Sequence, residues 1–172
     1  MTGSYTDYLA NQAGKAKLPS TVVKLGDRAK RVAWFKSRFA SARGSFLCLG
    51  ARFGEEVEAL WSLGCKAYGI DIQAYPPWVE VSDMNEPLPP CDFVYTNAFD
   101  HCWEPKDFLT NIRRAASGLM LHLSNGVAGS YETVEWDRIQ DVTDLLRECD
   151  FHVDTVEKIK PFHGLCYEVF AS

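Results

Sequence analysis

A chain of 172 residues is long enough for one sizeable core and too short for two ordinary domains. Apolar residues make up 47% and charged residues 24%, an ordinary globular balance, and no apolar run approaches the roughly 20 residues that span a bilayer. The net charge of −5 hides an asymmetry: residues 1–44 hold nine Lys/Arg against two Asp, whereas residues 45–172 hold nine Lys/Arg against 21 Asp/Glu.

The N-terminal "MTGSYTDYLANQAGKAK" has no apolar stretch of the kind a secretory signal needs, so a cytoplasmic protein is expected. Residues 21–40 follow with apolar groups at Val22, Leu25, Ala29, Val32, Phe35 and Phe39, which is one stripe on a helix. Lys24, Arg28, Lys30, Arg31, Lys36 and Arg38 fall largely off that stripe. A basic helical leader over residues 1–44 is therefore predicted ahead of an acidic body. Docking on that body, closing over a ligand and meeting a polyanion are all open to it.

"SFLCLG" (45–50) reads as a buried strand and "EEVEALWSLG" (55–64) as a helix ended by Gly64. Between them stand Gly50 and Gly54, a spacing that differs from the best-known dinucleotide fingerprint. Gly50 can let the backbone turn sharply, and Gly54 can let a ligand approach the helix start. "KAYGIDI" (66–72) predicts a second strand ending in Asp71. Pro76 and Pro77 then exclude a long helix, and a short strand is expected around Val79–Val81. "CDFVYTN" (91–97) and "GLMLHLS" (118–124) read as strands flanking a helix over 104–116 with Pro105 in its first turn. An amphipathic helix over 136–150 runs through Ile139, Val142, Leu145 and Leu146. The chain closes with two alternating strands joined across "KPFHG", a short turn that forces them antiparallel. Strands alternating with helices imply a parallel sheet, here ending in an antiparallel hairpin. The six cysteines are scattered without a C-x-x-C pair, so no metal site is expected and most read as small buried apolar residues.

In open α/β sheets ligands lie beyond the carboxyl ends of the strands, where strand order reverses. Three features fall there: the Gly50–Gly54 loop, Asp71, and Asp83 with Met84. A carboxylate at Asp71 can accept both hydroxyls of a ribose, and Asp83 and Met84 can flank an adenine edge and face. Together these point to a nucleoside ligand.

The same residues resemble a class I S-adenosylmethionine-dependent methyltransferase from Ser45 to about Ser124, closest to small-molecule methyltransferases. "FLCLGARFG" stands where that family has its glycine-rich motif, and "YGIDI" resembles the acidic end of its second strand. "CLGARFGEEVEAL…GIDI…YPP" is also similar to plant methyltransferase-like proteins. The resemblance implies a Rossmann-like α/β methyltransferase fold over residues 1–172: a mostly parallel seven-stranded sheet ending in an antiparallel hairpin, with helices on both faces. It implies S-adenosyl-L-methionine as cofactor, with Gly50, Ala51 and Gly54 lining its methionine moiety and ribose. It further places Asp71 on the ribose, Ile72 and Met84 beside the adenine, Asp83 on the adenine amino group, and Asn97 and Ala98 at the sulfonium. Two departures stand out. Cys48 occupies a position where family members commonly carry an acid, and Arg52 one where they carry glycine. Arg52 can pair with the cofactor carboxylate or face solvent.

His101 is the first candidate for a base or substrate contact and Asp100 the second; packing and N-capping are their structural alternatives. Tyr131, Glu132 and Trp136 form one wall of the acceptor pocket or, for Trp136, part of the core. Tyr5, Tyr8, Gln12 and Lys15 either close over the cofactor or belong to a frayed terminus. A small-molecule methyl acceptor is the favoured partner. An RNA or protein acceptor recruited by the basic leader and a non-catalytic S-adenosylmethionine-binding scaffold are the alternatives.

Overall fold

The structure is a computed structural model that describes residues 4–16, 25–73, 75–124, 134–162 and 164–172. Its seven strands are β1 (Ser45–Leu49), β2 (Lys66–Asp71), β3 (Val79–Val81), β4 (Cys91–Thr96), β5 (Ala116–Leu123), β6 (Val153–Phe162) and β7 (Leu165–Ala171). They form one sheet in the order β3-β2-β1-β4-β5-β7-β6. The first five run parallel, and β7 pairs antiparallel with both β5 and β6. The expected parallel sheet with a terminal antiparallel hairpin is the observed topology.

Period-two alternation sends the two sides of each central strand into two separate cores. Phe46 and Cys48 of β1 and Tyr95 of β4 face one side, beneath α2 (Leu25–Arg38) and α3 (Glu55–Ser62). Leu47, Leu49 and Val94 face the other, beneath α4 (Pro105–Ala115) and α5 (Ile139–Glu148). The apolar stripe of α2 seats Phe35 and Phe39 against Tyr95 at ring separations of 5.7 and 5.1 Å. At the N-terminus α1 (Tyr5–Ala16) lies across the strand ends, with Tyr5, Tyr8 and Trp103 in mutual ring contact.

The charge asymmetry resolves into docking. Arg28 pairs with Glu58 at 2.6 Å, Arg31 with Glu55 at 3.1 Å, and Arg38 with Glu168. Three of the five basic residues of α2 are thereby committed to the acidic body, and Lys30 and Lys36 are its exposed cations. No helix among the described residues is long and apolar enough to cross a membrane.

The termini of the elements follow their local chemistry. Pro105 opens α4 at a position where its missing N–H costs nothing. Gly64, at φ +85°, turns the chain out of α3. α5 is shorter than its amphipathic pattern, 139–148 rather than 136–150. Asp141 folds back on the start of α5, its Oδ2 accepting from the Arg138 backbone N–H at 2.9 Å and its Oδ1 from the Arg138 guanidinium at 2.9 Å.

Candidate functional site

Strand order reverses between β1 and β4, and a cleft of about 370 Å³ opens there at the carboxyl ends of the parallel strands. That volume lies within the range of small-molecule sites. Gly50, Ala51 and Arg52 enter it from the loop after β1, and Asp71 and Ile72 from the end of β2. Asp83 and Met84 reach it after β3, Asn97 and Ala98 after β4, and Asp100 and His101 from the short turn that follows. Eleven of the twelve expected site residues therefore share one cleft.

Gly54 is the exception and is corrected. A Cβ at Gly54 would lie 2.4 Å from the Trp78 Cβ, so its bareness admits Trp78 rather than a ligand. Its φ of +69° also sets the left-handed entry into α3. Gly50 is required for a different reason. With φ +64°, a Cβ there would meet the Ala98 Cβ at 2.5 Å, so the β1 and β4 loops close together only around glycine. Thr96 holds the same junction, donating to the Leu49 carbonyl at 3.1 Å and accepting from the Ala98 N–H at 3.0 Å.

The Asp71 carboxylate steadies the loop after β1 by accepting from the Arg52 backbone N–H at 2.9 Å and the Gln73 N–H at 3.3 Å. Burial raises its pKa against those bonds. A carboxylate has about four acceptor positions, so further donors can be served. Asp83 Oδ1 accepts from the Asn85 backbone and side chain at 2.9 and 2.8 Å, and Oδ2 accepts from the Tyr5 hydroxyl. Tyr8 donates to the His101 carbonyl at 2.6 Å, and burial pushes its phenol up to about 12. Tyr8 and buried Gln12 line the cleft, so α1 forms one of its walls. The Lys15 side chain lies outside the described residues, as do Tyr131 and Glu132. Trp136 is core: it is 8% exposed, packs 5.9 Å from Phe99 and is no part of the cleft wall.

His101 Nε2 stands 3.6 Å from Asp100 Oδ1, and Ser124 donates to Asp100 Oδ2 at 3.4 Å. These groups, with Leu165 of the terminal hairpin, form the side of the cleft nearest β5. At the opposite side Arg31, Arg52 and Glu56 reach the same space.

The sequence matches no protein-family model and no curated protein. Its fold is nevertheless similar to those of several solved enzymes. The 1,6-didemethyltoxoflavin-N1-methyltransferase of Burkholderia thailandensis, solved with S-adenosylhomocysteine, aligns at TM-score 0.68 and 13% identity, over 96% of this chain and 85% of that one. An S-adenosylmethionine-dependent methyltransferase of Aquifex aeolicus aligns at TM-score 0.59 and 23% identity, over 84% and 88%. The magnesium protoporphyrin IX methyltransferase of Synechocystis, solved with S-adenosylmethionine, aligns at TM-score 0.62 and 13% identity, over 98% and 85%. The chain has the class I methyltransferase fold. Among the described residues β2 leads to β3, and β3 to β4, without a helix.

Sequence reasoning overlooked two contributors to this methyltransferase-fold cleft. Asn85 organises its Asp83 side, donating to Asp83 and, at 3.2 Å, to the Tyr8 hydroxyl while accepting from the Trp103 N–H at 2.9 Å. Its place two residues after Asp83 in "SDMN" was the available signal, a local asparagine–aspartate turn. Glu56 is the other. It is 2% exposed although it sits in the charged first turn of a helix.

Proposed function

We propose that this chain binds S-adenosylmethionine and transfers its methyl group to a small-molecule acceptor. The observation that carries the reading is the convergence of Gly50, Asp71, Asp83 and Asn97, from four consecutive strand ends, on one cleft. The residues fit a nucleoside thioether. Asp71 retains acceptor capacity for ribose hydroxyls, Asp83 Oδ2 has capacity beyond Tyr5 for an exocyclic amino group, and Ile72 and Met84 supply apolar contact beside it.

The bound cofactor supplies an activated methyl group, which leaves the protein the tasks of alignment and proton handling. Asn97 and Ala98 border the region where the reacting groups meet. His101, whose Nε2 stands 3.6 Å from Asp100 Oδ1, is our candidate to take a proton from an acceptor that carries one. Tyr8 and α1 shield this space from water. The small-molecule reading is favoured over an RNA acceptor because Arg28, Arg31 and Arg38 already have carboxylate partners within the chain.

The test is calorimetry with S-adenosylmethionine and S-adenosylhomocysteine, followed by labelled methyl transfer into fractionated small-molecule extracts. Saturable binding of both and label in a small-molecule fraction are expected. Absence of heat with either overturns the reading.

A further inference from the structure

Buried polar groups are normally paired, and an exception on a cleft wall marks a partner yet to arrive. Two cleft-lining groups of opposite charge, four positions apart, form no ion pair among the described residues. Arg52 is held at a left-handed φ of +46°, a conformation that non-glycine residues rarely adopt. Its Nη2 is buried without a hydrogen-bond partner. Glu56 is 2% exposed, and among the described residues no basic side chain forms an ion pair with it. Arg31, the nearest candidate, is drawn instead to Glu55 at 3.1 Å. Arg52 and Glu56 both line the cleft, yet they do not pair with each other.

A ligand that satisfies both groups within this one cleft carries an ammonium for the carboxylate and a carboxylate for the guanidinium. We propose that Arg52 and Glu56 form an α-amino-acid subsite, Glu56 accepting the ammonium and Arg52 the carboxylate of the cofactor's methionine moiety. The proposal rests on the methyltransferase reading above and assigns it two residues. Glu56 thereby supplies from α3 the carboxylate that β1 lacks, where Cys48 stands directly beneath it in the core.

The electrostatics of the cleft agree with this assignment. Burial, then the neighbouring Glu55, pushes the Glu56 carboxyl up to about 8. Burial, then Arg31, draws the Arg52 guanidinium below its ordinary range. Each charge is poorly solvated alone, and each gains when the opposite charge arrives. The groups facing Glu56 are Glu55 from its own helix, Arg31 from α2, Arg52 from the loop, Asp71 from β2, Cys48 from β1 and Tyr95 from β4. Of these only Arg31, together with the Glu56 backbone N–H, favours its ionised form, and Arg31 is shared with Glu55. An arriving ammonium therefore ionises Glu56, and binding at neutral pH releases a proton.

The experiment compares S-adenosylhomocysteine with methylthioadenosine, the same nucleoside thioether without its amino-acid tail, on wild type, Glu56→Gln and Arg52→Gln. Wild type should prefer the tailed ligand. Either substitution should weaken S-adenosylhomocysteine by about tenfold or more while moving methylthioadenosine by less than about twofold. Calorimetry in two buffers of different ionisation enthalpy should show proton release with S-adenosylhomocysteine on wild type and none on Glu56→Gln. If wild type binds both ligands and neither variant changes their ratio, the subsite is overturned and the methyltransferase reading stands. If wild type binds neither, both fall together. Glutamine closely imitates a protonated carboxyl, so Glu56→Gln should fold; if its thermal midpoint collapses, the Arg52→Gln ratio alone decides.

Discussion

Two buried polar clusters lie under α2, and they are finished to different degrees. In the first, Tyr95 donates to His122 Nδ1 at 2.9 Å, His122 Nε2 donates to Glu168 at 2.6 Å, and Glu168 receives Arg38 through two nitrogens. Every member is partnered; with Glu168 accepting from Nε2, burial lowers the His122 pKa and favours the neutral ring with its proton on Nε2. In the second cluster, Arg52 and Glu56 meet neither each other nor another ion. Both clusters cost desolvation. The saturated one recovers that cost within the chain and anchors the basic helix to the terminal hairpin. The unsaturated one borders the cleft and depends on what the cleft receives.

The largest expected effect comes from breaking the finished cluster. Glu168→Ala leaves His122 and Arg38 facing an unfilled space, and loss of a buried ion-pair partner costs about 3–5 kcal/mol. Urea unfolding should show that loss, and a change under about 1 kcal/mol would mean the network contributes only shape.

Acid and base then separate the two glutamates. The bonds from His122 and Arg38 outdo burial and hold Glu168 down at about 2. Its folded pKa lies below the ordinary 4.5, so its stabilisation is complete above pH 4.5 and is lost as pH falls toward 2. Glu56 has the opposite sign. Its folded pKa of about 8 exceeds the ordinary 4.5, so stability is fully present below pH 4.5 and declines as pH rises toward 8. In ligand-free protein, Glu56→Gln should match wild type near pH 4.5 and exceed it on the order of 4 kcal/mol at pH 8. Parallel stability curves for the two proteins would contradict the buried, unpaired state of this carboxyl.

The difference between the clusters also explains what the sequence could reveal. Strand runs, proline breaks and the closing turn carry local signals, so the sheet and its antiparallel end were legible from period and punctuation. Asp71 and Asp83 were legible as cleft-lining residues because each stands at or just past a strand end, and strand ends define the ligand side of such a sheet. Glu56 was not, since three glutamates in the first turn of a helix read as ordinary dipole complements. Its burial is a tertiary fact: α2, an earlier element of the chain, packs on α3 and brings Arg31 beside the Glu55–Glu56 pair. The Tyr95–His122–Glu168 chain was equally hidden, because its members come from three strands whose adjacency is a tertiary fact. Gly54 misled for the reverse reason: its pattern invited a ligand, and Trp78, brought beside it by the pairing of β2 with β3, filled the space.

A binding measurement sharpens the cleft side of the comparison. Asp71→Ala should weaken S-adenosylhomocysteine by about 1.5–3 kcal/mol, the range for hydrogen bonds to a charged group. Part of that loss is indirect, because Asp71 also restrains the Arg52 backbone N–H. Asp71→Asn keeps one acceptor oxygen and should fall between wild type and the alanine variant. An unchanged dissociation constant in Asp71→Ala would remove the ribose role.

The smallest expected effect tests whether α1 belongs to the finished or the unfinished part of the molecule. Tyr5 donates to Asp83 and stacks on Tyr8 at 5.6 Å, and burial, then that bond, raises its phenol well above its ordinary value. Tyr5→Phe keeps the ring contacts and deletes only the hydroxyl, so α1 should stay docked but lose about 1 kcal/mol of local stability. Hydrogen exchange of the α1 amides should then quicken by about fivefold while β1 and β4 amides are unaffected. Quickening of both regions together would show that the helix unfolds only with the whole chain, and unchanged exchange would show that the aromatic contacts with Tyr8 and Trp103 hold it alone. Local quickening is the result that makes α1 a separately releasable wall, able to open the Asp83 side of the cleft without disturbing the sheet beneath it.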